Sequence, residues 1–174
     1  DSEFNFIGDG LTLGTHTVKV EATDPSGGTG MDSVTINIVE NTAPWIRIIT
    51  PTFEQRIGDD QVFLVAIEAG DMEESAESLR LSWLLDDLPF GSGEVHPGVD
   101  GRASVDAGPL PLPAGVWDMT HTVRVEVMDT QGTTTESSVD IVVVPSDGDG
   151  DGAISTEVGG TDCDDDDARI YPGA

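Results

Sequence analysis

Apolar residues recur along this chain at every second position far more often than at helical spacing. Val18, Val20 and Ala22 alternate with polar neighbours across residues 15–23, and Val34, Ile36 and Ile38 do so across residues 33–39. A period of two puts one face of a strand against a core. Between these runs, Asp24-Pro25-Ser26-Gly27-Gly28 is turn chemistry. With Phe4 and Phe6 alternating upstream, residues 1–42 read as a strand followed by a β-hairpin. Further on, Ile46 and Ile48 alternate, residues 61–68 form a continuous apolar run suited to an inner strand, and Leu79, Leu81, Trp83 and Leu85 alternate with Arg80, Ser82 and Leu84. Residues 71–78 read as an acidic loop. Pro- and Gly-rich connections then lead through residues 103–107 to a closing hairpin, 120–128 and 137–144.

An internal repeat organises these strands. A shift of 105 residues lays Thr15-His16-Thr17-Val18-Lys19-Val20-Glu21 on Thr120-His121-Thr122-Val123-Arg124-Val125-Glu126 without a gap. It also carries Asp24 to Asp129, Gly27 to Gly132, Val34 to Val139 and Ile36 to Ile141. A period near 100 residues is one β-sandwich domain. The expected architecture is therefore all-β: the C-terminal half of an immunoglobulin-like sandwich at 1–42, a complete one at 43–145, and an Asp-rich segment at 146–174. Asn41-Thr42-Ala43-Pro44 is the linker. A half sandwich leaves a face and an edge unpaired, which is seldom stable alone and invites strand addition. Either the front half has been cut away, or another chain supplies the missing strands by strand sharing. Trp83 falls where immunoglobulin-like sandwiches often bury a tryptophan. Seven short strands without a disulfide resemble the PKD- and cadherin-like sandwiches of surface proteins over residues 1–145.

Composition narrows the function. Aromatic content of 5%, with 21 Gly and 10 Pro, suits short strands and many turns. A formal net charge of −27 argues against nucleic acid or an anionic membrane as partner. Residues 1–145 alone carry 25 acidic and 6 basic side chains, so the scaffold is acidic too, with Lys19 its one lysine. No apolar run reaches the roughly 20 residues of a membrane span. No signal peptide opens the sequence, which is expected to be a mature product or an excised segment. One cysteine, Cys163, cannot form an internal disulfide, and among aspartates it is a poor nucleophile candidate. No HExxH pair, nucleophile elbow or phosphate-cradling loop occurs, and His16 and His121 sit at equivalent repeat positions as strand residues. The expectation is a protein that is not an enzyme. Asp71, Glu73, Glu74 and Glu77 read as a solvated loop, with a second cation site as the alternative, and Asp24 and Asp129 as turn caps.

One stretch demands a particular chemistry. In Asp147-Gly148-Asp149-Gly150-Asp151-Gly152, carboxylates on alternate residues with glycines between them let the backbone curl and the side chains converge. Ca²⁺ takes six to eight oxygens at roughly 2.3–2.6 Å. Against a helix-loop-helix calcium loop, the three aspartates fall on the first, third and fifth positions, Gly152 on the sixth, the Ala153 carbonyl on the seventh and Ile154 on the apolar eighth. The twelfth position is Val158, with Glu157 one place early, so Asp162 and Asp164 are the candidates to close the shell. Two carboxylates curled to about 4 Å repel by roughly 4 kcal/mol at a surface-like dielectric. The compact loop therefore needs an ion; without one the segment reads as a solvated acidic tail.

This stretch, with Gly160-Thr161-Asp162-Cys163-Asp164-Asp165-Asp166-Asp167 and Ile170-Tyr171-Pro172-Gly173-Ala174, resembles the metal-binding repeat of MopE-like secreted microbial proteins. It is more distantly similar to thrombospondin type 3 and dockerin calcium loops. The resemblance covers residues 147–174 and implies an extracellular or cell-surface protein that binds calcium through Asp147, Asp149, Asp151 and an acidic residue of the second block. A second ion held by Asp162, Asp164, Asp165 and Asp167 would extend it. Cys163 is the only soft ligand nearby, which favours calcium over copper. The reading is a structural or adhesive extracellular protein, self-associating or bound to other surface proteins. An accessory carbohydrate-binding region of a larger secreted hydrolase, using Trp45, Trp117 or Tyr171, is the alternative.

Overall fold

A computed structural model describes residues 10–91 and 95–172; Phe4, Phe6 and Ser92 lie outside the described residues. The fold is all-β, with ten strands and two short 3₁₀ turns among the described residues. Contacts divide it between Asn41 and Thr42 into two compact units.

The first unit is an antiparallel hairpin of β1 (Gly14–Thr23) and β2 (Thr29–Ile38). Val18 pairs with Val34 and His16 with Ile36, so the apolar residues share one face as the alternation requires. On that face Val20 is 59% and Val34 58% exposed, while Val18, Ile36 and Ile38 are half-buried.

In the second unit, β3 (Trp45–Thr50), β5 (Phe63–Gly70) and β8 (Arg102–Ala107) form a three-stranded sheet in the order β3-β5-β8. Strands β4 (Gln55–Gly58), β6 (Arg80–Leu85), β7 (Leu88–Pro89), β9 (Met119–Met128) and β10 (Thr134–Val144) form the other, ordered β4-β10-β9-β6-β7. Every pairing is antiparallel except that of β4 with β10, which is parallel from Gln55–Ile141 to Gly58–Val144. The two sheets close an immunoglobulin-like sandwich over one core. Phe63, Val65, Ile67 and Ala69 of β5 face Leu81 and Trp83 of β6, Val123, Val125 and Val127 of β9, and Ile141 of β10. Trp83 is buried at its centre and meets Phe90 edge to face, with ring centroids 6.4 Å apart.

Two features differ from the sequence expectation. Strand β5 is not apolar on both sides: Leu64 is exposed while its neighbours Phe63 and Val65 are buried, because the outer face of the three-stranded sheet is open. Arg47 and Glu68 pair across that outer face. Strand β4 has no alternation to announce it, since its register comes from β10, more than 80 residues away in sequence.

The internal repeat is exact in geometry. Thr23 pairs with Thr29, and Met128 with Thr134, at the same offset of 105 residues. In the first turn, Asp24 Oδ1 accepts the N–H groups of Ser26 and Gly28, each at 2.8 Å. In the second, Asp129 Oδ1 accepts those of Gln131 and Thr133, also at 2.8 Å. Both aspartates cap their turns. The glycines that follow, Gly27 and Gly132, have φ of 90° and 89°.

Candidate metal centre

Strand β10 ends at Val144, and the next residues wind into a series of Asx turns. Asp147 Oδ1 accepts the N–H of Gly150 at 2.8 Å and of Asp151 at 3.2 Å, and its Oδ2 that of Gly152 at 3.0 Å. Asp149 Oδ1 takes the N–H of Asp151, and Asp151 Oδ1 that of Ala153. Each carboxylate is thus folded inward over the backbone that follows it. One oxygen from each of Asp147, Asp149 and Asp151 lies within 4.8 Å of the others. That is the span of two bonds of about 2.4 Å meeting at one calcium ion.

The chain then returns. Ser155 precedes a 3₁₀ turn, Thr156–Val158, and its hydroxyl accepts the N–H of Glu157. The carbonyl of Ile154 accepts the N–H groups of both Thr161 and Asp162 at 2.9 Å. Gly160 lies so close to that carbonyl that a Cβ would stand 2.0 Å from its oxygen, so the reversal requires glycine. Asp162 then pairs with Ser155 in a parallel bridge, and its carboxylate is near enough to act electrostatically on Asp149.

Asp162 is only 1% exposed. Its Oδ1 accepts the N–H of Asp164 at 3.0 Å. Its Oδ2 is buried without a hydrogen-bond partner, and so are Oδ2 of Asp149 and Oδ2 of Asp151. Burial, and then the charges of Asp151, Asp162 and Asp147, outweigh the hydrogen bond from the Asp151 N–H and push the Asp149 carboxyl above its ordinary value. Three carboxylates each satisfy one oxygen and leave the other buried and unpaired. A hard divalent cation fits this set, because it supplies the charge that the unpaired oxygens lack. Asp147, Asp149 and Asp151 would hold it, and the buried, unpartnered Oδ2 of Asp162 makes that residue the candidate to complete the shell.

The remaining acidic residues of the second block turn elsewhere. Asp165 Oδ1 accepts the N–H of Gly148 at 3.0 Å, tying the two halves of the segment together. Asp167 Oδ1 accepts the N–H of Arg169, and Asp164 is exposed. Among the described residues no second group of three metal-ligating side chains gathers at this spacing. Cys163 is exposed. The Asp71 loop is stapled by its own bonds: Asp71 Oδ1 accepts the N–H groups of Glu73 and Glu74, while Thr42 donates to Glu73 and Thr130 to Glu74. The histidines are engaged structurally, His16 with the Thr12 carbonyl, His96 with the Leu79 carbonyl and His121 with Asp86 at 2.6 Å.

No protein-family profile matches the chain, and no curated protein matches it by sequence. Among solved structures it is similar to fibronectin(III)-like modules of Clostridium thermocellum CbhA, at 18% identity and a TM-score of 0.46, over 78% of this chain and 65% of that one. It is also similar to the extracellular cadherin domains 1–5 of protocadherin gamma B2, at 15% identity and a TM-score of 0.41, over 76% of this chain and 25% of that one. The chain therefore spans less than two thirds of the length of either.

Proposed function

We propose that this chain is part of an extracellular structural or adhesive protein, non-catalytic, whose Asp-rich segment is folded by calcium. The observation that carries the reading is the set of buried, unpaired oxygens on Asp149, Asp151 and Asp162. Calcium suits them better than magnesium, which demands near-ideal octahedral geometry and keeps several waters. Soft metals lack ligands here, since neither histidine nor thiolate belongs to the set.

The ion's role is mechanical. It neutralises the cluster and fixes the segment against the sandwich end it follows. Extracellular calcium modules commonly have dissociation constants of about 10⁻⁴–10⁻³ M. A site of that affinity is filled in millimolar calcium outside cells and empty inside them. The test is limited proteolysis of the full chain in calcium and in EDTA. Cleavage within residues 147–167 should be slow with calcium and fast in the chelator; equal cleavage in both would remove the reading. The filament form of this proposal draws on the exposed apolar residues of the β1–β2 hairpin, and concentration-dependent sedimentation tests it.

One observation favours the carbohydrate-binding alternative. Trp117, 60% exposed, lines a cleft of about 350 Å³ with Arg56, Glu157 and Asp164. Exposed aromatics beside polar side chains suit sugar rings. Retention of the wild type but not of Trp117→Ala on a glycan array would establish that reading, and silence of both would dismiss it.

A further inference from the structure

Beyond the core, the polar side chains buried most deeply among the described residues are Asp129, Ser146, Ser155 and Asp162. Asp129 caps a turn of the sandwich. The other three form a line from the sandwich to the metal centre. Its root is the turn after edge strand β4, where Asp59 donates its N–H to the Val144 carbonyl of β10 at 2.9 Å. Asp59 Oδ1 accepts the N–H of Ser146 at 3.0 Å, and Asp60 accepts the Ser146 hydroxyl. The Ser146 carbonyl in turn accepts the N–H of Ser155 at 2.9 Å, and the Asp162 carbonyl accepts that of Thr156 at 2.9 Å within the Ser155–Asp162 bridge.

Two further links run beside this line. Gln61 accepts the N–H of Gly58 and donates to the Val158 carbonyl at 3.1 Å, and Arg56 pairs with Glu157 at 2.8 Å. The approach is tight. A Cβ on Gly58 would stand 2.1 Å from the Ser146 hydroxyl oxygen, so a larger residue where β4 meets the segment would displace that hydroxyl.

We infer that Ser146 is a positioning residue for the metal centre: anchored on Asp59 and Asp60, it fixes the backbone that presents Asp162, and through the same bonds a bound cation clamps β4 onto β10. The inference rests on the calcium reading above and adds its coupling to the sandwich. Coupling between two such sites is reciprocal. Whatever Ser146 adds to calcium affinity, calcium returns as protection of β4.

The test uses the full chain, with calcium affinity measured by calorimetry and amide exchange of Arg56, Ile57 and Gly58 followed in calcium and in EDTA. Calcium should slow exchange of those amides in the wild type. Ser146→Ala and Asp60→Ala each delete one hydrogen bond and should weaken calcium binding about five-fold while reducing that slowing. Asp60→Asn keeps an acceptor oxygen for the Ser146 hydroxyl and should stay within about two-fold of wild type. A merely structural role for Ser146 would lower the melting temperature in EDTA and leave calcium affinity unchanged. If Ser146→Ala does not fold, the Asp60→Ala and Asp60→Asn pair decides alone. Tight calcium binding with β4 exchange indifferent to the ion, or wild-type affinity in both alanine variants, would overturn the coupling and leave the calcium site standing. Absence of calcium binding to the wild type would overturn both.

Discussion

The two hairpins of the repeat share a sequence pattern, register and turn, and differ in how far their apolar residues are buried. Strands β9 and β10 are covered by the three-stranded sheet, and Val125 is fully buried. Its counterpart Val20 on β1 is 59% exposed. Local sequence therefore sets how each ribbon pairs and turns, while burial of the apolar face depends on a second layer. Since a lone two-stranded hairpin is marginal in water, the same residues contribute very different amounts of stability at their two addresses.

The largest effect that would break this comparison is a paired truncation. Val125→Ala should cost about 2 kcal/mol or more by opening a cavity beside Trp83, whereas Val20→Ala should stay within about 0.5 kcal/mol. Urea unfolding followed by tryptophan fluorescence reads the first, and amide exchange in β1 the second. A cost for Val20→Ala as large as that for Val125→Ala would mean that the β1–β2 face is covered in solution.

Next in size is the contrast in opening. Equivalent backbone pairings should exchange at least about 100-fold faster in β1–β2 than in β9–β10, because opening β1–β2 exposes far less buried apolar surface. Equal protection would again signal a cover.

Smaller is the difference between the caps. Asp129→Ala strands the N–H groups of Gln131 and Thr133 in a partly buried turn and should cost about 2 kcal/mol; in Asp24→Ala water replaces the lost acceptor and the loss should be smaller. Thermal melts of the two variants, with exchange at Gly28 and Thr133, measure the pair.

The smallest effect is on pH. The Ser26 hydroxyl, then the N–H groups of Gly28 and Ser26, hold the Asp24 carboxyl below its ordinary value. A depressed value means that its support of the turn is present above the unfolded pKa of about 3.9 and is lost only as pH falls through the lower folded value. A carboxyl NMR titration of Asp24 with its midpoint at or above the ordinary value would contradict the capping geometry.

Much of this was legible in sequence, for reasons the repeat makes plain. Alternation in residues 15–23 and 120–128 exposes the strand period directly, and Trp45–Thr50 matches its strand because Ile46 and Ile48 both face the core. Asp24 and Asp129 announced their turns because an Asx cap is local chemistry. Strand β4 stayed hidden, since Gln55-Arg56-Ile57-Gly58 has too few residues to show a period and takes its place from a partner distant in sequence. The Asp147, Asp149 and Asp151 spacing anticipated the gathering of those three carboxylates. Which aspartate of the second block is buried was not readable, because Asp162 is selected by the reversal at Gly160 and the bridge to Ser155. Spacing alone could not distinguish it from Asp164 or Asp165.

The parallel pairing of β4 with β10 carries one consequence for a protein under load. Traction on the chain beyond Val144 pulls β10 from its C-terminal end, while β4 is held from its N-terminal end through Trp45–Thr50. The pairs from Gln55–Ile141 to Gly58–Val144 are then sheared together and share the force. The β1–β2 ribbon, tugged at its two open ends, would instead unzip one rung at a time and give way first.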